Sequence, residues 1–234
     1  FAKSIGDAIE GATKEALDFA AFLSVDRSNA PTERVKYRLP PKTPFYHPEN
    51  RPLPSVIRHS LQCHPATPCT AVSAIEASIR LIENGNLAVN YHLDCNPGDI
   101  LLPGKQPTAA KDDLWLHTCC EAFIAAVDVQ EYREFNFSPS SQWANYCFTD
   151  YRIRDKTFIA PSAPQIHTHR RDDGLQIDAL IGREMLPHAA AWNIGLSVVI
   201  ETLDGSKSYW ALAHCAAQPD FHRRQSFLLT LNAI

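Results

Sequence analysis

The spacing of hydrophobic residues changes character twice along this chain. Over residues 1–23, Ile5, Ile9, Ala12, Ala16, Phe19 or Ala20, and Leu23 recur at three- and four-residue steps, with Lys3, Asp7, Lys14, Glu15 and Asp18 elsewhere. That period predicts one amphipathic helix. Its apolar face needs a cover, from its own domain or from a partner, because an isolated helix of this length is marginal in water. Over residues 26–54 the period disappears. Pro31, Pro40, Pro41, Pro44, Pro48, Pro52 and Pro54 stand among Arg34, Lys36, Arg38, Lys42 and Arg51, a composition that favours an extended, polyproline-like arm. Such an arm is either a plain spacer or a peptide lying along another protein. From residue 55 the apolar residues fall into short alternating runs at 71–82, 87–93, 118–126, 132–138, 143–148, 174–181, 194–203, 208–214 and 227–231. Period two predicts strands. Asn84-Gly85 suits a tight hairpin, and Ser138-Pro139-Ser140-Ser141 and Leu203-Asp204-Gly205-Ser206 read as further turns. Strands at this spacing, with no long helical pattern between them, predict an all-β fold, an antiparallel β-sandwich over 55–234 preceded by the helix and arm over 1–54.

Composition narrows the partners. With 45% hydrophobic residues in 234 the chain can bury a proper core. Its 22 Lys+Arg against 26 Asp+Glu leave a formal charge of −4, so no whole-chain basic field exists to hold nucleic acid or an anionic membrane surface. No run approaches the ~18 consecutive apolar residues of a spanning helix. The chain opens at Phe1, which leaves a removed targeting segment open. Seven Cys, an odd number without a CxxC pair, read as mostly reduced and point to a cytoplasmic protein.

The densest chemistry lies in Leu114–Ile124 and Tyr132–Trp143. If both segments are strands, Cys119, Glu121 and Phe123 share one face against Thr118, Cys120, Ala122 and Ile124, while Glu134, Asn136 and Ser138 oppose Phe135 and Phe137. The sequence LWLHTCCEAF, then YREFNFSPSSQWANYCF and DYR over 114–152, resembles the signature of the DOMON-like proteins, a β-sandwich group akin to family-nine carbohydrate-binding modules. Tyr209-Trp210-Ala211-Leu212-Ala213-His214 and Pro219-Asp220-Phe221-His222, leading into Ser226-Phe227, is similar to that group's closing strands. The resemblance spans about residues 55–234. It implies the sandwich fold and a binding tendency rather than a reaction, with relatives holding a sugar between aromatic rings or, in other branches, a haem. Cys120 departs from the group's usual Phe, which argues that this position is a packing one.

Sugar recognition needs flat rings against C–H faces and polar side chains that hydrogen-bond hydroxyls in fixed directions. Trp115, Trp143, Trp210 and Tyr151 are the candidate rings. Glu121, Glu134, Asn136, Asn145 and Arg152 are the candidate polar partners, with Arg152 ordering the carboxylates and His214 and His222 contributed from the far strands. Against this, a Trp in a sandwich is more often core than platform, and Glu121 or Glu134 could simply pair with Arg152 or Arg133. A one-residue error in register would turn half of this set inward. Two carboxylates also raise glycoside hydrolysis, but the resemblance implies noncatalytic modules and no GxSxG, P-loop or HExxH pattern occurs. For metals, His167 with His169, His117 with Cys119, and Cys63-His64 with Cys69 are incomplete ligand sets. Met185, the one Met, is the only thioether for a haem axial pair. The expected protein is therefore a noncatalytic module, without cofactor, that binds a carbohydrate or similar polar ring compound. The alternatives are an accessory or scaffold subunit docked through residues 1–54 and, as a minor reading, a haem-binding redox module.

Overall fold

The computed structural model describes residues 57–82 and 84–233. The expected helix, the Pro-rich arm and any partner contact through them lie outside the described residues.

Two sheets of antiparallel strands face one another. The first runs in the order β1 (His59–Ser60), β3 (Val72–Leu81), β4 (Leu87–Cys95), β10 (Gly174–Ile181) and β9 (Gln165–Arg171). The second runs β2 (Gln62–Cys63), β12 (Lys207–Ala211), β11 (Ala191–Glu201), β5 (Cys119–Ala126), β6 (Tyr132–Phe137), β7 (Trp143–Asp150) and β8 (Ile153–Arg154), with β13 (Leu229–Asn232) pairing β11. Alternation builds the core between them. Ile75, Val89, Tyr91, Leu93, Leu175 and Ile177 point in from the first sheet, and Cys120, Ala122, Ile124, Phe135, Phe137 and Val198 from the second. Cys120 is thus a packing residue, beside Phe137 on the neighbouring strand.

One polar contact crosses this core. The Tyr91 hydroxyl donates to the main-chain oxygen of Glu121 at 2.7 Å, tying β4 to the centre of the opposite sheet. Tyr91→Phe removes the donor and is expected to cost about 1 kcal/mol in urea unfolding.

A simple sandwich would leave the outer face of each sheet to water, yet all eight residues of β5 are buried. The chain after β12 explains this, because it folds back over the outer face of the eight-stranded sheet. There Phe227 packs on Phe123, ring centroids 5.7 Å apart, and covers Gly195, where an added Cβ would lie 2.9 Å from the Phe227 ring. Gly195 is small because this overlying segment approaches the strand closely. Phe221 and His222 lie over Phe123 at 6.5 and 5.2 Å between ring centroids.

The expected runs become strands with shifted ends. The run at 227–231 starts as strand only at Leu229, with Phe227 turned onto the outer face. Strand β9 carries one buried residue, Ile166, in a polar and largely exposed segment, so it has little hydrophobic alternation to betray it. Strands β1, β2 and β8 are two residues each, too short for a period. Among the described residues no helix is long and apolar enough to cross a membrane.

Candidate functional site

Strand register sets the outer face of the eight-stranded sheet. One rung carries Ser197, Glu121, Asn136 and Ala144 across β11, β5, β6 and β7. The next carries Gly195, Phe123, Glu134 and Tyr146, and the third Asn193, Ala125, Tyr132 and Phe148. Glu121 and Glu134 therefore sit diagonally on adjacent strands and rungs of one face. Above them a cleft of about 630 Å³ opens between the 3-10 turn Leu114–Leu116 and the returning segment at 218–222. That volume lies within the range of small-molecule sites, ~300–1,000 Å³. Phe123, Phe148 and Tyr209 wall it, and Trp115, 45% exposed, stands at its lip.

The floor is polar and almost fully buried. Asn136 donates from Nδ2 to Glu134 Oε1 at 2.7 Å, and Ser197 donates from Oγ to Glu121 Oε2 at 3.4 Å. Burial raises the Glu121 carboxyl well above its ordinary range, and the neighbouring Glu134 raises it further. Burial likewise pushes Glu134 up to about 7, against the lowering effects of the Asn136 hydrogen bond and the Arg152 charge. Buried carboxyls so placed hold protons near neutral pH and can both donate to and accept from a ligand hydroxyl.

His222 closes one side. Its Nδ1 lies 2.8 Å from the Tyr132 hydroxyl, which itself accepts from the Arg152 main-chain N–H at 3.1 Å. Tyr132 thus donates to Nδ1, leaving the proton of the neutral ring on Nε2, 3.7 Å from Glu134 Oε2. Burial, joined by the Arg152 charge, depresses the imidazole to about 4, so the ring is neutral at physiological pH. Arg152 adopts a left-handed backbone, φ 57°, and its Nη2 donates to Asp220 Oδ1 at 2.9 Å. Burial alone would raise the Asp220 carboxyl, but hydrogen bonds from Tyr151 and Arg152 outweigh it and hold the group below its ordinary value. This pair anchors the returning segment beside the cleft.

The structure divides the residues singled out in the sequence. Trp115, Glu121, Glu134, Arg152 and His222 line the cleft, and Asn136 lies beneath Glu134. Tyr151 sits behind Arg152, its hydroxyl donating to Asp220 Oδ2 at 2.6 Å. Trp143 and Trp210 point the other way and pack in the core between the sheets. Asn145 is paired with the core residue Phe135 and turns away from the cleft too. His214 is near the rim, its Nε2 2.8 Å from the main-chain oxygen of Gln62. The alternative, an ion pair of Glu121 or Glu134 with Arg152 or Arg133, is not found among the described residues: Arg152 pairs with Asp220, and Arg133 hydrogen-bonds the main-chain oxygen of Met185 and lies over Phe158. Tyr146, Phe148 and Tyr209 reach the cleft without having been singled out.

The other chemical candidates lie elsewhere. Met185 is fully buried among core apolar side chains. Among the described residues no three His, Cys, Asp or Glu side chains gather as metal ligands. His169 Nε2 instead meets Asp178 Oδ2 at 3.5 Å on the first sheet. All seven Cys are free, and burial raises the Cys119 and Cys120 thiols far above the reactive range.

No protein-family model matches the chain, and no curated protein matches it. Among solved structures it is similar to a "putative carbohydrate-binding protein" from Bacteroides uniformis, with a TM-score of 0.56 at 11% identity over 76% of this chain and 86% of that one. A family 9 carbohydrate-binding module from Caldicellulosiruptor kristjanssonii in complex with cellotriose gives 0.43 at 12% identity, over 67% and 72% of the two chains. The same type of module in complex with glucose gives 0.44 at 11%, over 74% and 83%. The first likeness is one of fold, the two-sheet antiparallel sandwich.

Proposed function

We propose that this protein is a noncatalytic binding module that holds a carbohydrate, or a similar polar ring compound, in the cleft on the outer face of its eight-stranded sheet. The observation that carries the reading is the buried Glu121–Glu134 pair on the floor of an open, ring-walled cleft. Two desolvated carboxyls on one face oppose folding, so they make physical sense as groups kept for a ligand that supplies hydroxyls in their place. Trp115 at the lip, with Phe148 and Tyr209 in the walls, offers flat surface for the C–H faces of a sugar ring. The resemblance of 114–152 and 209–227 to DOMON-like proteins supports the same reading, as does the carbohydrate-binding description of the fold relative. The noncatalytic part of the reading rests on the resemblance of 114–152 and 209–227, which implies binding modules rather than enzymes.

Calorimetric titration of the full chain with neutral mono- and disaccharides tests this. A saturable heat for at least one sugar, lost in Glu134→Ala while the unfolding transition stays cooperative, is the expected result. Absence of binding across the sugars would overturn the reading, as would release of a cleaved glycoside.

A second prediction concerns the wall. His222→Ala removes the ring that covers Phe123 and the acceptor of the Tyr132 hydroxyl, and is expected to weaken sugar binding about tenfold while costing about 1–2 kcal/mol of stability. The same titration and a urea unfolding curve check both figures.

A further inference from the structure

The open edge of β7 carries a second, independent feature. At its start Trp143 is bonded outward to another segment, its N–H to the oxygen of Ala109 at 3.1 Å and its oxygen to the N–H of Lys111 at 2.9 Å. Further along, the oxygen of Cys147 accepts from the N–H of Asp155 at 2.8 Å. Between these two attachments sits Asn145. In an antiparallel ladder alternate residues turn their N–H and C=O outward, so Asn145, two residues from each, turns its own pair away from β6. Among the described residues no strand or loop pairs with it there, since β8 joins β7 only at Phe148 and Asp150. The Asn145 side chain is in the same condition: the residue is 8% exposed, and neither Oδ1 nor Nδ2 has a hydrogen-bond partner.

Asn145 is itself among the residues that line a cavity of about 290 Å³, with Lys111, Trp143, Arg154, Ile159 and Ala160. A buried carboxamide without partners costs stability, and native proteins rarely keep one. Here Asn145 leaves a main-chain donor and acceptor and both polar atoms of its side chain unpaired, at a cavity with apolar lining from Trp143, Ile159 and Ala160. A group that offers one N–H, one C=O and a small apolar end pairs the outward main-chain donor and acceptor of Asn145 and meets the apolar lining. An added β-strand would need a longer run of free edge, and the attachments at Trp143 and Cys147 close it on both sides. A single amide fits the interval.

We propose that this notch is a second binding site, separate from the cleft, and that it takes a small secondary amide such as the acetamido group of an N-acetylated sugar. The test is a ¹H–¹⁵N titration of the full chain with N-acetylglucosamine, with glucose, and with N-methylacetamide as an amide that is no sugar. N-acetylglucosamine and N-methylacetamide are expected to move the Asn145 side-chain and main-chain signals in the millimolar range, and glucose to leave them in place. Asn145→Leu should lose the response without a lower melting temperature, because it removes an unpaired buried amide. Failure of both amides to move the Asn145 signals, or equal movement with glucose, overturns the proposal. Both results are read on the wild-type chain and do not depend on the variant's folding. Signals of Tyr209 and His222 report the cleft separately, so failure of one site is distinguishable from failure of the other.

Discussion

At pH 8 the Glu121→Gln, Glu134→Gln double variant is expected to be more stable than the wild-type protein by on the order of 3 kcal/mol, with the difference fading toward pH 4.5. The ordinary glutamate value is 4.5 and burial pushes Glu134 to about 7. Each pKa unit is ~1.4 kcal/mol of differential interaction between the protonation states. Because the folded value is raised, the stabilising contribution of the protonated carboxyl is fully present below pH 4.5 and is lost as pH climbs through about 7. Glu121 shifts in the same direction. A carboxamide keeps an oxygen to accept from Asn136 and never ionises, so the variant escapes the loss. His222, depressed to about 4, loses stability in the opposite direction as the medium is acidified, but it is present in both proteins and cancels from their difference. Urea unfolding at pH 4.5 and pH 8 measures the effect. Parallel pH dependences in the two proteins would show that the carboxyls are not desolvated in solution.

The three tryptophans that a sugar reading would treat alike are expected to behave oppositely. Trp210 is buried in the core between the sheets, its Nε1 donating to Ser208 Oγ at 3.1 Å, and Trp143 packs in the same core. Trp210→Ala and Trp143→Ala are each expected to cost about 3–5 kcal/mol of stability, the usual range for a large ring removed from a core. Trp115 stands 45% exposed at the cleft. Trp115→Ala is expected to leave the unfolding midpoint nearly unchanged and to weaken sugar binding by on the order of 2 kcal/mol, some thirtyfold, through lost area and ring stacking. Paired calorimetry and urea denaturation separate the classes. A Trp115→Ala protein that binds as tightly as wild type would remove the indole from the site.

Much of this contrast turns on one residue of register. A turn confined to 138–141 would pair Phe137 with Gln142 and bring Trp143 and Asn145 to the face of Glu134 and Asn136. In the structure Phe137 pairs with Trp143, and the N–H of Ser138 reaches the oxygen of Gln142 at 3.0 Å, so the loop is one residue longer. Tyr146 then lies beside Glu134 and the tryptophan faces the core, since a single-residue slip exchanges the two faces of a strand. Ser141, with φ 78°, provides the left-handed step that this longer loop requires, a conformation that nothing in a serine announces. Alternation was legible in β5, where Glu121 lies between Cys120 and Ala122, and in β6, where Glu134 and Asn136 alternate with Phe135 and Phe137. The sandwich itself followed from those runs and their turns. The third layer was not legible. Phe221, His222 and Phe227 sit in a segment with no repeating period, and their position over Phe123 and Gly195 is a long-range packing outcome that local spacing does not encode.

The measurement that tests the account most directly is a chemical-shift map of the full chain against whichever neutral sugar binds best in calorimetry. Saturable shifts centred on Glu121, Glu134, Tyr146 and His222 are the expected result. Shifts centred instead on the outer face of the five-stranded sheet, around Asn90 and Asp178, would contradict it, as would the absence of any saturable shift with every sugar tried.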